Sequence, residues 1–294
     1  MCAVLGVLGF SFKAILVKLA YQSAPADATT LLALRMLYSA PLFAAMAWWA
    51  GRRGGAAPLH VRDWLSVAGL GFIGYYLSSL LDFLGLQYIS VSLERLILFL
   101  YPTIVVVLSA VFMRRPITRT AAGALVLCYV GIALAFWHDL GIATDRHATI
   151  VGGLLVFAGA FGYAVYLVCA SRVIARMGSL RFVAWAMIVS TVFILVQFAI
   201  TRPIAALAVP RAVHWIAAAM AVFSTVVPTW LVAESIRRLG ANTASLIGSL
   251  GPVFTIALGV LILDEPINAL QLVGAALVLV GVALVTLRPQ RSAA

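Results

Sequence analysis

Six charged side chains stand inside otherwise apolar runs of the sequence: Lys13, Lys18, Arg35, Asp82, Glu94 and Arg95. A charge in hydrocarbon is costly, so such residues face a protein interior or a water-filled path and need a counter-charge there. Asp82 with Arg95 or Arg35 is the expected pair. It serves either as an ion pair that locks the helices carrying it, or as a gate or site that receives the carboxylate and ammonium of a zwitterion. Glu94 adds a second carboxylate, and a proton carried by Asp82 or Glu94 would suit a coupled process. Lys13, set in mid-run, either snorkels to an aqueous face or lines a path.

Hydroxyls fall in stripes. Tyr75, Ser79 and Asp82 are spaced i, i+4, i+7, which is one helical face, and Ser78 adjoins them. Shifted by 150 residues, Tyr75 and Ser79 map to Thr225 and Thr229. Asn242, Ser245 and Ser249 recur ahead of Pro252, as Ser92, Arg95 and Phe99 do ahead of Pro102. Each hydroxyl alone suits interhelical bonding or close packing, whereas the stripes together suit a cavity wall. Pro41, Pro102, Pro228 and Pro252 each delete a helical hydrogen bond. They either kink their helices or turn backbone groups toward a path.

Among the aromatics, Tyr76, Tyr101, Tyr163, Tyr166, Trp185 and Trp230 lie deep in apolar runs, and Tyr163 with Tyr166 either walls a cavity or fills a core. Trp48, Trp49, Trp64, Trp137 and Trp215 stand near the ends of runs, where an interfacial belt places them. Cys2, Cys128 and Cys169 have no ligand spacing and read as small buried hydrophobes, so no metal site is expected. The sequence holds no HExxH, GxSxG, P-loop or CxxC, and the four histidines fall in loops or run ends. Neither an enzyme nor an ATP-driven pump is expected, and no cofactor is implied.

The elements that position these residues belong to a membrane. Of 294 residues 64% are hydrophobic and 10% charged, with mean hydropathy +1.12. That excludes a soluble enzyme, a nucleic-acid binder and a secreted disulfide scaffold. A window of about 19 residues gives ten spans, near 2–20, 29–50, 64–86, 91–113, 118–137, 150–171, 181–200, 211–235, 241–263 and 268–287. The first lacks a basic leader and a small-residue cleavage motif, and reads as a retained helix rather than a signal peptide. Thirteen of the twenty Lys and Arg fall on one set of alternate loops plus the C-terminus, against Arg146, Arg202 and Arg211 on the other. The positive-inside rule then places both termini in the cytoplasm, and the net charge of +11 is mostly a topology signal rather than a nucleic-acid footprint.

A constant shift of 150 overlays Pro102 on Pro252, Leu96-Ile97 on Leu246-Ile247, Pro116-Ile117 on Pro266-Ile267 and Gly131 on Gly281. Five spans is an odd number, so the second half is expected upside down relative to the first. Arg114-Arg115 opposite Asp264-Glu265 agrees, being basic inside and acidic outside. The fold class expected is an all-α polytopic membrane protein: ten transmembrane helices as two inverted five-helix repeats around a central cavity. The first repeat is residues 1–137, a periplasmic connector 138–149, the inverted repeat 150–287 and a cytoplasmic tail 288–294.

The ten spans, the duplication and the stretch from Leu250-Gly251-Pro252 to Leu263-Asp264-Glu265-Pro266, with Gly274 and Gly281 beyond it, resemble the EamA family of the drug/metabolite transporter superfamily. The resemblance covers nearly the whole chain and departs at Arg114-Arg115, where many members are acidic. The details look closest to the amino-acid exporter branch, which includes aromatic amino acid exporters. The resemblance implies a secondary transporter of the bacterial inner membrane that exports small metabolites, amino acids foremost, by alternating access. Export of another metabolite or drug, and a channel-like permease, stand as alternatives. The cavity is expected between helices 1, 3, 4, 6, 8 and 9 of the ten. Helices 5 and 10 carry Gly123, Gly131, Gly274 and Gly281 and suit packing or dimer contact, so monomer and homodimer both stay open.

Overall fold

The structure, a computed structural model, describes residues 2–24, 27–52, 60–113, 118–232, 250–266 and 268–286, and all secondary structure among them is helical. In lipid the backbone has no water to bond, so helices that satisfy their own groups are the natural solution. The elements are α1 (Cys2–Ser23), α2 (Ala28–Arg52), α3 (Val61–Gly71), α4 (Ser78–Gly85), α5 (Val91–Leu98), α6 (Tyr101–Met113) and α7 (Arg119–Ile142). They continue with α8 (Arg146–Met177), α9 (Ser179–Thr201), α10 (Arg211–Ala221), α11 (Gly251–Leu263) and α12 (Ala269–Thr286). Eight helical segments among the described residues are long and apolar enough to cross a membrane, and Gly251–Leu263 and Ala269–Leu284 are shorter apolar helices. The expected ninth span, 241–263, lies outside the described residues over 241–249. So do the Arg114-Arg115-Pro116 turn and the 288–294 tail.

Two expected spans contain a π-helical turn, Phe72–Leu77 between α3 and α4 and Val222–Val226 after α10. A π turn displaces carbonyls from their usual partners, and side-chain hydroxyls take up the slack. Ser78 Oγ donates to Ile73 O at 2.9 Å and Thr225 Oγ1 to Met220 O at 2.9 Å, each five residues back. Pro228 stands two residues beyond the second turn.

Pro102 and Pro252 do mark breaks. The helix of the fourth span stops at Leu98, turns through Phe99-Leu100 and restarts as α6, while Pro252 stands in the first turn of α11 after a turn residue at Leu250. Pro41, by contrast, sits inside the continuous helix α2. The connector expected at 138–149 is almost all helix, because α7 runs on to Ile142 and Asp145 caps α8 by accepting from Ala148 N at 3.0 Å. Cys169 is exposed, a correction to its reading as a buried hydrophobe, since it lies on the outer face of α8. Cys128 is buried and Cys2 half-buried.

Packing interleaves the two halves of the chain. α7 lies along α12, α2 along α9, α8 along α4, α5 and α6, and α1 along α10 and α11. The α7–α12 crossing is close because glycines sit in it. A Cβ on Gly131 would stand 2.5 Å from Gly274 O, and one on Gly281 would stand 2.5 Å from Cys128 Sγ, whereas Gly123 has open space around it. Trp48, Trp137 and Trp215 are 60%, 74% and 76% exposed near helix ends, as a belt requires.

The crossing gives a paired test. Gly131→Ala is expected to destabilise the protein by about 1–3 kcal/mol, because its new methyl meets backbone that cannot yield. Gly123→Ala is expected to be neutral or stabilising by up to about 1 kcal/mol from helix propensity. Thermal unfolding in detergent separates the two, and equal midpoints would remove the crossing from the account.

Candidate functional site

The intramembrane charges gather where α1, α2, α4 and α5 meet. Lys13 Nζ donates to Asp82 Oδ2 at 2.6 Å. The expected pairing of Asp82 with Arg95 or Arg35 is thus corrected, for two physical reasons. The Arg35 guanidinium lies over the Phe83 ring at 4.9 Å, within electrostatic reach of Asp82 but not bonded to it. Arg95 turns toward the start of α11, where a Cβ on Gly251 would stand 2.8 Å from its Nη2. Glu94 is fully buried on α5, one residue before Arg95, and Lys18 is half-buried on α1. α1 is pinned alongside: Tyr21 Oη donates to Phe83 O at 2.8 Å and Ser11 Oγ to Gly251 O at 3.1 Å.

Beside the charges runs a file of rings. Phe99 contacts Tyr101, Tyr101 contacts Tyr163, Tyr163 contacts Tyr166, and Tyr166 contacts Phe182, with centroids 6.1, 5.3, 5.5 and 6.0 Å apart. Tyr75 joins edge-on at 5.0 Å, its hydroxyl 3.0 Å from that of Tyr166. Gly74, in the π turn, makes room, because any Cβ there would enter the Tyr166 ring. Phe99, which ends α5 with its N–H bonded to Arg95 O, joins the rings to the charges.

The remaining expected site residues divide. Ser78 is packed against Gly162, and Thr229 Oγ1 donates to Thr225 O at 2.5 Å, so Ser78, Thr225 and Thr229 all spend their hydroxyl hydrogens on their own helices. Ser79 is half-buried. Trp185 meets Trp64 edge-on at 4.7 Å, and Trp230 is 44% exposed and takes no part in the ring file. Ser245 and Ser249 lie outside the described residues.

Sequence reasoning missed cross-half contacts at opposite ends of the bundle. At one, Glu265 receives Val91 N at 2.8 Å and Ser92 N at 3.3 Å, and Ser92 Oγ donates to it at 3.1 Å. A carboxylate at the amino end of α5 satisfies free N–H groups and complements the helix dipole. Asp139 stands near, receiving Ser90 Oγ at 2.6 Å and Gln271 Nε2 at 2.7 Å. At the other end Arg176 is paired with Asp63, beside the Trp64–Trp185 contact. The available signal was a carboxylate in the short Asp-Glu-Pro turn, which had to spend its charge on some nearby terminus.

Comparison with known proteins agrees with this architecture. The EamA-like transporter family matches residues 1–137 and again residues 150–287. An uncharacterized transporter, YcbK, of Bacillus subtilis (strain 168) is 29% identical over 289 residues, covering 92% of this chain and 86% of that protein. A second from the same organism, YyaM, is 28% identical over 215 residues, covering 72% and 70%. A solved crystal structure superposes with TM-score 0.66 at 19% identity, covering 100% of this chain and 98% of the other, which shows a shared fold.

If Lys13 is the cation that keeps Asp82 in the bundle, Lys13→Met leaves a buried charge unpaired and costs about 3–5 kcal/mol. Adding Asp82→Leu removes that charge and is expected to restore most of the loss. Thermal midpoints of the two single variants and the double variant measure the coupling, and strictly additive losses would mean that the pair does not act as a unit.

Proposed function

The chain belongs to the EamA-like transporter family, and from that membership we propose that this multi-pass membrane protein exports amino acids by alternating access across the bacterial inner membrane. Aromatic and neutral amino acids such as threonine and methionine are the substrates proposed, with broad side-chain tolerance. The observation that carries the reading is the contiguity of charges of both signs with the file of tyrosines. Arg95 has its Nε without a partner among the described residues and suits a carboxylate. Asp82 and Glu94 suit an ammonium group, and Tyr101, Tyr163, Tyr166 and Tyr75 offer both ring faces and hydroxyls to a side chain of either character.

Inverted repeats rocking about a central site are a recurrent transporter plan, and several features support it here. The π turns at Phe72–Leu77 and Val222–Val226 lie 150 residues apart, as do the breaks before Pro102 and Pro252. Contacts of α8 with α3, the Phe72–Leu77 turn and α6 have counterparts in those of α1 with α10, the Val222–Val226 turn and α11. With both termini cytoplasmic, Glu265 on α5 forms an outer closure and Arg176 with Asp63 an inner one. Release of one and then the other provides alternating access.

Counterflow of labelled threonine, methionine and phenylalanine in proteoliposomes tests the substrate class. Transport of a sugar or nucleotide-sugar but of no amino acid would sink it, and fluxes that never saturate would favour a channel-like permease. Arg95→Gln is expected to raise the half-saturating concentration about tenfold or more, the worth of one charge-assisted hydrogen bond. The topology is exposed to cysteine labelling: a cysteine at Asp264 reacting only from the cytoplasmic side overturns the orientation.

A further inference from the structure

Away from the charges and rings, α2 carries a second ordered face. Pro41, Ala44, Trp48 and Arg52 are exposed and spaced i, i+3, i+7, i+11, which is one side of a helix. At one end of this stripe, Ala40, Pro41 and Ala44 face Ile188, Thr191 and Val192 of α9 across a groove of about 350 Å³. Small side chains on α2 leave the hollow open. Thr191 spends its hydroxyl hydrogen on Met187 O at 2.8 Å, so the lining side chains keep no free donor. At the other end the Arg52 guanidinium lies over the Trp48 ring at 4.0 Å. Stacking occupies its face and leaves its N–H edge for another partner, and among the described residues Arg52 has no ion pair.

The depths of the two ends match a lipid. Pro41 stands midway along α2 and Thr191 midway along α9, so the groove opens at the level of the acyl chains. From Pro41 to Arg52 the helix rises about 16 Å, close to half of the roughly 30 Å hydrocarbon core. A hollow facing hydrocarbon takes an acyl chain, because an empty one forfeits the dispersion contacts of its walls. The headgroup on that chain then arrives at Arg52, whose fork of N–H donors fits a phosphate. The sequence beyond α2 adds Arg53 and Arg62 against Asp63, which is itself paired with Arg176, so the charge favours an anionic headgroup. A second copy suits the face less well. A twofold axis along the membrane normal would set Arg52 of each copy at one depth, and α2 has no carboxylate to pair with it.

We propose that the outer face of the α2–α9 seam binds one anionic glycerophospholipid, its phosphate held by Arg52 on Trp48 and one acyl chain laid in the groove at Pro41. α2 comes from the first half of the chain and α9 from the second. The lipid therefore bridges the two halves where they pack against each other.

Native mass spectrometry of the delipidated protein in detergent, titrated with phosphatidylglycerol or phosphatidylcholine, tests the site. One phosphatidylglycerol is expected to be held about tenfold more tightly than phosphatidylcholine. Arg52→Gln is expected to erase that preference and Arg62→Gln to keep it, while Ala44→Phe, which fills the groove, weakens binding of both lipids. Circular dichroism and size exclusion establish that each variant is folded, and Arg52→Gln, a change at an exposed position, decides the matter even where Ala44→Phe does not fold. Equal retention of the two lipids by the wild type, or an unchanged preference in Arg52→Gln, overturns the proposal. Competition by inorganic phosphate at millimolar concentration would mark a site for free anions and overturns the lipid. Cross-linking between copies that depends on Ala44→Cys would show a second copy on this face and overturns it too. None of these measurements uses a transported solute, so their outcome is separate from that of the amino acid reading.

Discussion

A carboxylate held among hydrocarbon must have a cation, a proton or a dipole beside it, and the arrangement of this bundle follows from that constraint. Asp82 sits at 1% exposure on α4, and the partner that reaches it comes from α1, 69 positions away in sequence. That contact fixes where α1 crosses α4 and α5, and α1 in turn carries the hydroxyls that bond Phe83 O and Gly251 O. The same demand acts at Glu265, which finds no cation in hydrogen-bonding contact among the described residues and takes the free N–H groups of α5 instead. Charge neutralisation thus ties an acidic turn of one half to a helix start of the other.

Features that depend on one segment were legible in the sequence. Eight of the helical spans, the exposed Trp side chains near helix ends and the breaks before Pro102 and Pro252 each follow from local composition or from a missing N–H. Features that depend on two segments meeting were not. Nothing in the spacing of Lys13 tells which carboxylate it will reach, so the nearer-looking partners of Asp82 were preferred. The π turns escaped for a related reason: a hydroxyl stripe such as Tyr75, Ser78 and Ser79 looks the same whether it lines a path or repairs displaced carbonyls. Ser78 and Thr225 do the second. The ring file was half legible, since Tyr163 and Tyr166 share a helical face, but its continuation through Tyr101, Phe99 and Phe182 needed α5, α6, α8 and α9 in place.

The 150-residue offset makes sense of how the two kinds of side chain are divided. Lys13 corresponds to Tyr163, Arg35 to Trp185, Asp82 to Val232, Glu94 to Ala244, and Tyr101 to Gly251. On the proposed twofold relation, Lys13, Arg35, Asp82 and Glu94 therefore face an aromatic or apolar counterpart at the equivalent place in the second half, whereas Arg95 faces Ser245. Gly251 leaves room for the Arg95 guanidinium, and Tyr101 fills the matching room with a ring that touches Tyr163. A site with true twofold symmetry would present the same chemistry twice and would bind a symmetric ligand best. One in which these charges come from the first half alone and the rings from both halves is matched to a molecule with one charged end and one variable end. An amino acid, the substrate proposed, has that shape, which is why the divergence of the repeats, more than their similarity, bears on that proposal.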